Sequence, residues 1–402
     1  SCQSIDIKSA FPQKKTIDRD VFVKPPKEVE CPPNKLWKLN TTIYGLNDAS
    51  RSWYLNVKNE LIQLGATVCR SDPSVFVWHS DSKLIGILCT HVDDFLFGGT
   101  QFFIENIITP LKQTFTIGTE CCTAFKYLGL NITQSRKEIV LDQVDYINSL
   151  EYIKISNTRK MEKQDPVSDE EFDSLRTLIG QLGWVTGQTR PDLAFDVGQL
   201  SSSVNHSKVE HILKANKVLT KAKAENVPIR LGLPGSIYDF RFACYNDSSL
   251  GNLKDGGSQG GFVIYLVDNI NNCSPIMWKS LKTVKSAMAA ETLIQVEAAE
   301  ASFWLANLLN EILYAQNSNA HSIEIECFTD NHQLYDSVWS IRPIQDRRLR
   351  MEVAILREML DKKEITKINW IDKHNQLADC LTKNGASSEK LISTFKTKSL
   401  KF

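Results

Sequence analysis

Residues Leu84–Gly99 read LIGILCTHVDDFLFGG, two apolar runs split by the adjacent acids Asp93 and Asp94. Burying an unpaired carboxylate is costly. Adjacent carboxylates also repel, and one is driven toward its protonated form unless a cation lies between them. Leu84–Thr90 and Phe95–Phe97 have the composition of two strands, which puts Asp93–Asp94 at a hairpin tip. The pair is then either a solvated turn or a place where something positive binds. A solvated Asp-Asp turn is the commoner case when nothing else is considered.

The chain has 402 residues, too many for one ordinary core, so two or three domains are expected. Lysine plus arginine equals aspartate plus glutamate, 47 each, which argues against a uniformly basic nucleic-acid binder but not against local basic patches. The ten cysteines contain no C-x-x-C pair, so neither a zinc site nor a disulfide framework is indicated. Reduced thiols are the default. No apolar run reaches membrane-spanning length, and no membrane partner is expected. The start, SCQSIDIKSAF, has neither the basic residues nor the apolar core of a signal peptide and enters a strand at once, so it reads as the edge of a fragment.

Along the chain, residues 1–155 mix short strands and helices. Ala49–Leu64 is an amphipathic helix with Trp53, Val57, Leu61 and Leu64 near one face. KPPKEVECPPNK, Lys24–Lys35, is a Pro-punctuated loop, Ser74–Trp78 a strand, and KYLGLNI a further short strand. Residues 156–236 form a polar linker and two helices, the second rich in lysine over Lys208–Lys223, with LPGS, Leu233–Ser236, as a turn at the boundary. Residues 237–385 read strand, strand, strand, long helix, strand, helix, helix, strand, helix. The strands are Phe240–Tyr245, Gly261–Val267, Pro275–Lys279, Ile323–Thr329 and Lys367–Ile371, and the long helix is Ala287–Leu313. This order suggests a mixed sheet covered by helices. Residues 386–402 read as a basic C-terminal tail.

Four acids in this last region sit beside small or apolar residues. Asp247 follows a strand, Glu291 lies in the first turns of the long helix, Asp330 ends the fourth strand and Asp379 opens the last helix. Singly each is explained by structure: Asp330 and Asp379 both suit a helix N-cap. Converging at one sheet edge, four oxygen donors would suit Mg²⁺ or Mn²⁺. Two such ions about 4 Å apart activate water and stabilise the leaving oxygen of a phosphodiester. Asp6, on the first strand, would complete a similar set with Asp93 and Asp94 if the two strands are neighbours.

At these residues the chain resembles the reverse transcriptase–RNase H region of copia-type LTR retrotransposon Pol polyproteins. DIKSAF, KLWKLNTTIYGLNDASRSWY, SDPSVF, HVDD and KYLGLNI look like successive polymerase blocks. LIGQLGWVTGQTRPDLAFDVGQLS resembles the segment joining the two enzymes. YNDSSLG, SQGGFVIYL, MWKSLKTVKSAMAAET, CFTDNHQ and QLADCLTK resemble RNase H blocks. Any one of these is weak, but eleven in the right order are specific.

The resemblance implies an α+β / α/β multidomain fold: a palm and thumb over 1–155 with the fingers largely missing, a helical connection over 156–236, and an RNase H-like domain with a mixed five-stranded sheet over 237–385. It implies two Mg²⁺ or Mn²⁺ ions per active site. Asp6, Asp93 and Asp94 would hold them for nucleotidyl transfer, and Asp247, Glu291, Asp330 and Asp379 for hydrolysis of RNA in RNA–DNA hybrids. Phe11 would sense the sugar 2′ position of the incoming dNTP, Gly45 would allow close approach of template or nucleotide, and His374 would assist proton transfer or product release. Core packing, a turn glycine and a surface histidine are the structural alternatives for these three. The partners would be an RNA template, a DNA primer, dNTPs and the hybrid, with protease and integrase parts upstream in the polyprotein. The family works in cytoplasmic virus-like particles with a later nuclear stage. His91 replaces the family's usual Tyr, and the missing fingers argue against polymerisation by this chain alone. The competing reading is an inactive or host-retained relic that binds nucleic acid or a protein.

Overall fold

A computed structural model describes the chain except residues 1, 14–16, 18, 33–34, 233–237, 250, 252–256, 284–286, 315–322, 342–343 and 401–402. The expected turn Leu233–Ser236 lies outside the described residues, as do parts of the Lys24–Lys35 loop and of the YNDSSLG and MWKSLKTVKSAMAAET blocks. The chain divides into two compact units, Ser1–Tyr127 with Leu308–His321, and Leu128–Asn307 with Ser322–Phe402. The boundary expected at 155/156 therefore falls inside the second unit.

In the first unit the alternating apolar runs form strands. The elements are β1 (Cys2–Ile7), a two-stranded ribbon of β2 (Phe22–Val23) and β3 (Trp37–Lys38), α1 (Ala49–Gln63), β4 (Thr67–Val68), β5 (Val75–Ser80), β6 (Lys83–His91), β7 (Asp94–Gly99), α2 (Gln101–Phe103), α3 (Thr109–Thr114), β8 (Ile117–Cys121) and β9 (Ala124–Tyr127). Six strands make one sheet in the order β4-β5-β6-β7-β1-β8. Trp53, Val57 and Leu61 of α1 are buried against it with Phe76, Phe95, Phe97 and Phe103. The segment after Leu308 belongs to this unit because Glu311 accepts hydrogen bonds from Ser71 N at 3.2 Å and Ser71 Oγ at 2.6 Å. KYLGLNI is not one strand: Leu128 and Gly129, at φ 47° and 77°, form a reverse turn in its middle, since two successive left-handed residues cannot continue an extended chain.

The second unit opens with β10 (Leu130–Gln134), β11 (Glu138–Asp142), α4 (Val144–Ser149) and α5 (Asn157–Met161), then α6 (Asp169–Gln188), α7 (Ala194–Ser202), α8 (Val209–Ala224) and β12 (Ile229–Gly232). Leu175, Leu178, Leu182 and Val185 repeat at helical spacing on α6 and form a core with Ile212, Val218 and Leu219 of α8. A second layer follows: β13 (Phe240–Ser249), β14 (Ser258–Asp268), β15 (Cys273–Thr283), α9 (Ala287–Tyr314), β16 (Glu324–Thr329), α10 (His332–Trp339), α11 (Arg347–Asp361), β17 (Lys367–Trp370), α12 (Asp379–Thr382) and α13 (Glu389–Thr397). Five strands are ordered β15-β14-β13-β16-β17. The first three run antiparallel, and β13, β16 and β17 run parallel, as the helical crossovers require. The expected mixed five-stranded sheet is present, but residues 386–400 are not a tail. Leu391, Thr394 and Phe395, spaced to share one helical face, bury α13 in the core of this layer. No described helix is long and apolar enough to cross a membrane.

Candidate active sites

In the first unit the antiparallel register of β1 and β7 sets Asp6 directly opposite Asp94. Asp93 precedes it in the two-residue turn Val92–Asp93, and its carbonyl accepts from Ile7 N at 2.8 Å. Val92 has φ 54°, a left-handed conformation that a β-branched residue rarely adopts. The Trp53 indole N–H donates to the Val92 carbonyl at 2.6 Å and holds the turn. Like charges directly opposite one another in a sheet are unfavourable. Burial, then Asp93, then Asp6 push the Asp94 carboxyl above its usual range, with His91 acting against them. Gly118 on β8 makes the room: a Cβ there would stand 2.2 Å from Asp6 Oδ2.

Phe11 lies just beyond β1, buried in the core and edge-on to Tyr44 with ring centroids 4.6 Å apart. Its carbonyl accepts from Thr42 Oγ1 at 2.8 Å. Gly45 has φ 93°, which favours glycine, and a Cβ would meet nothing within 4 Å.

In the second unit the parallel pairing of β13 and β16 runs up to Tyr245 opposite Phe328; Asp247, still on β13, and Asp330, the first residue past β16, each lie two residues beyond that pair, and the Asp330 charge acts on Asp247. Gly261 of β14 is the register partner of Asp247, and a Cβ there would come within 2.7 Å of Leu381 Cβ. The bare glycine lets α12, which begins with Asp379, close onto the sheet. Asp330 does not cap α10: Asn331 does, accepting from Leu334 N at 2.9 Å. Asp379 is not a cap either, since Ala378 holds that position. Helix capping therefore accounts for neither acid.

Asp247 is 1% exposed and Glu291 7%. Burial, opposed by Lys383 and by the Thr382 hydroxyl but reinforced by Asp379 and Asp330, raises the Asp247 carboxyl to about 7. Burial, with Asp247 and Asp330, raises Glu291 to about 9, against which Ser248 acts. Neither Glu291 Oε2 nor Ser248 Oγ completes a hydrogen bond. Gln376, itself buried, donates to the Asn246 carbonyl at 2.8 Å and to Asp330 Oδ1 at 3.4 Å. The Lys383 ammonium lies 3.3 Å from Asp247 and 2.5 Å from Asp379.

Among the described residues no three His, Cys, Asp or Glu side chains are grouped closely enough to hold a metal ion as they stand. Yet the donor chemistry of the second set fits a hard divalent cation. All four groups are carboxylates, two are buried and raised, and one buried oxygen is unpartnered. His374 is exposed on a short 3₁₀ turn, its backbone N–H donating to Asp372 at 2.8 Å. The Lys208–Lys223 helix spends charge locally. Lys208 binds Gln164 at 2.8 Å, Lys214 pairs with Asp196 at 3.2 Å, and Lys223 donates to the Leu150 carbonyl at 2.6 Å. In the DRRLR run, Asp346 caps α11 and Arg350 donates to the Ile344 carbonyl at 3.0 Å.

Sequence reasoning missed Gly118, Gln376, Thr382 and Lys383. Lys383 was findable, one helical turn after Asp379 at the i,i+4 spacing that pairs acid with base. Gly118 was not, because only the β1–β8 pairing brings it to Asp6.

Residues 1–167 match the model of the reverse transcriptase (RNA-dependent DNA polymerase) family. The chain is 23% identical to a retrovirus-related Pol polyprotein from transposon RE1 of Arabidopsis thaliana, over 95% of its length and 26% of the relative's. It is 24% identical to the Pol polyprotein from transposon TNT 1-94 of Nicotiana tabacum, over 95% of its length and 29% of that relative's. A transposon Ty5-1 protein of Saccharomyces cerevisiae is 27% identical over 69% of this chain and 92% of its own length. The chain thus spans little more than a quarter of the plant polyproteins, 26–29%. Among solved structures, RNase H1 of Halobacterium salinarum aligns with 35% of this chain and 94% of its own, at 20% identity and TM-score 0.26. A foamy viral protease–reverse transcriptase in complex with dsDNA aligns with 92% of this chain and 68% of its own, at 12% identity and TM-score 0.23.

Proposed function

We propose, from the match of residues 1–167 to the reverse transcriptase family and the likeness of the chain to retrotransposon Pol polyproteins, that it carries two phosphoryl-transfer centres, one for RNA-directed DNA synthesis and one for cleaving RNA in RNA–DNA hybrids. The observation that supports this reading most is the second carboxylate set, Asp247, Glu291, Asp330 and Asp379, drawn together from a strand end, a helix start, a second strand end and a second helix start. No structural duty of capping accounts for Asp330 or Asp379.

In this reading the six-stranded sheet is the palm, with the thumb in the segment up to residue 155, and the five-stranded sheet is the RNase H core. Asp6, Asp93 and Asp94 would hold divalent ions at the first centre, and the four acids at the second. Bound there, such ions supply Lewis-acid polarisation of the phosphate and a water or hydroxyl nucleophile at neutral pH. The chain's own residues do the rest. The Asp6–Asp94 register fixes two carboxylates on neighbouring strands, and Trp53 holds the turn that sets Asp93 beside them. Gln376 orients Asp330 from below. Phe11 would sense the sugar 2′ position of the incoming dNTP, Gly45 would allow close approach of template or nucleotide, and His374 would assist proton transfer or product release. Template, primer and hybrid are the nucleic-acid partners. The ions are Mg²⁺ or Mn²⁺.

Cleavage of a labelled RNA–DNA hybrid by the chain and by Asp330→Asn tests this, with primer extension in the same tubes. Metal-dependent cleavage lost at least about a hundredfold in Asp330→Asn is expected, since removing a ligand removes the ion's transition-state stabilisation. A folded wild-type chain that cleaves no hybrid in either Mg²⁺ or Mn²⁺ would sink the hydrolytic reading.

A further inference from the structure

We propose that Lys383 is a tethered counter-cation of the second centre, and that a divalent ion must displace it to engage Asp247 and Asp379 together. This rests on the reading of those acids as a metal centre. The ammonium is placed between two carboxylates from different elements, 3.3 Å from Asp247 on β13 and 2.5 Å from Asp379 at the start of α12. Asp247 is nearly sealed from solvent and its second partner is the Thr382 hydroxyl, so these two neighbouring residues complete its hydrogen bonding without any ion. Glu291, across the centre, has no such partner at Oε2. Lys383 therefore serves Asp247 and Asp379, while Glu291 Oε2 is left without a hydrogen bond.

The lysine is able to leave. Its side chain is 38% exposed, against 2% for that of Asp247. An ammonium on a four-carbon stem is a mobile point charge with no fixed fork geometry. If it stayed, a divalent ion on the same carboxylates would sit within a few ångströms of a positive charge, and in a partly buried site that repulsion is poorly screened. Lys383 is thus a positioning residue: it holds Asp247 and Asp379 close together, at the expense of weaker metal binding.

The test is Mn²⁺ binding by the full chain, followed by electron paramagnetic resonance of the free ion and by calorimetry at pH 8. Asp93→Asn and Asp94→Asn silence the first centre in every sample. Lys383→Met should bind Mn²⁺ at least about tenfold tighter than its parent, because the competing charge is gone. Lys383→Arg, which keeps the charge, should stay within about threefold of the parent. Equal or weaker binding by a folded Lys383→Met overturns the proposal. If the parent and Lys383→Met both fold and neither binds Mn²⁺, the reading of these acids as a metal centre fails, and this proposal with it. Should Lys383→Met not fold, the unsubstituted lysine is followed by NMR of its ammonium group during Mg²⁺ titration. Its signal should move to the solvent-exposed position as the ion saturates, and a signal that does not move overturns the proposal.

Discussion

At the residue scale, two glycines separate space that matters from space that does not. A Cβ at Gly118 would overlap Asp6 Oδ2 at 2.2 Å, so Gly118→Ala must push the carboxylate or β8 aside. We expect a loss of about 1–3 kcal/mol in denaturant unfolding of the first unit, the usual cost of overpacking, together with reduced primer extension. Gly180 of α6 faces nothing within 4 Å. Gly180→Ala should instead gain about 0.5–1 kcal/mol, as glycine in a helix interior is conformationally costly. A neutral Gly118→Ala would show that Asp6 has room to move, and the first centre would then be less tightly built than its register suggests. In the sequence each glycine follows an isoleucine and precedes a polar residue, and only the third dimension tells them apart.

At the element scale, α6 was legible because each of its signals agrees. Ser168 and Glu171 form a reciprocal capping box, the apolar positions repeat at helical spacing, and Arg159 pairs with Glu171 at 2.8 Å. Ser168→Ala should cost about 1 kcal/mol in thermal or denaturant melting. The turn after α6 is held differently. Arg190, 1% exposed, makes a two-pronged pair with Asp192 at 2.8 and 2.9 Å and donates to the carbonyls of Ala222 and Glu225. Arg190→Met leaves the Asp192 carboxylate buried without its partner, and a loss of about 3–5 kcal/mol is expected in the same melt. The KYLGLNI stretch was misread for the opposite reason. Its alternation looks like one strand, and nothing local announces that Leu128, a bulky residue, takes a left-handed turn conformation.

At the scale of the whole molecule, the buried acids should show in the pH dependence of stability. For an acid raised on folding, the unfolded chain releases its proton first as pH rises. The unfolded state then binds fewer protons, and stability falls with pH. For Asp247 that window runs from its ordinary value, 3.8, to about 7, and for Glu291 from 4.5 to about 9. The metal-free chain should therefore be most stable at the acid end of this range as far as these groups decide it, and lose stability up to about pH 9. Glu291→Gln should flatten the upper part of the slope, read from melting temperature between pH 6 and pH 9 at about one-unit steps. Saturating Mg²⁺ should flatten it in the wild type and much less in Glu291→Gln, because an ion that binds only the folded, ionised centre stabilises it by mass action. A slope unchanged by Glu291→Gln would mean that the carboxyl is not held raised.

The sequence by itself determined the alternation of elements after residue 237, the helix faces, and which acids stand at element ends, because periodicity and turn chemistry are local properties of the chain. It also carried the family resemblance, through blocks in fixed order. Tertiary structure alone decided what those acids meet. Strand register put Asp6 opposite Asp94, the pairing of β13 with β16 brought Asp330 within electrostatic reach of Asp247, and the closure of α12 over Gly261 brought Asp379 and Lys383 to Asp247. Partners 136 residues apart, as Asp247 and Lys383 are, leave no mark on the intervening sequence. Burial, the quantity that raises Asp247 and Glu291, is a property of the packed sheet and helix and of no single segment.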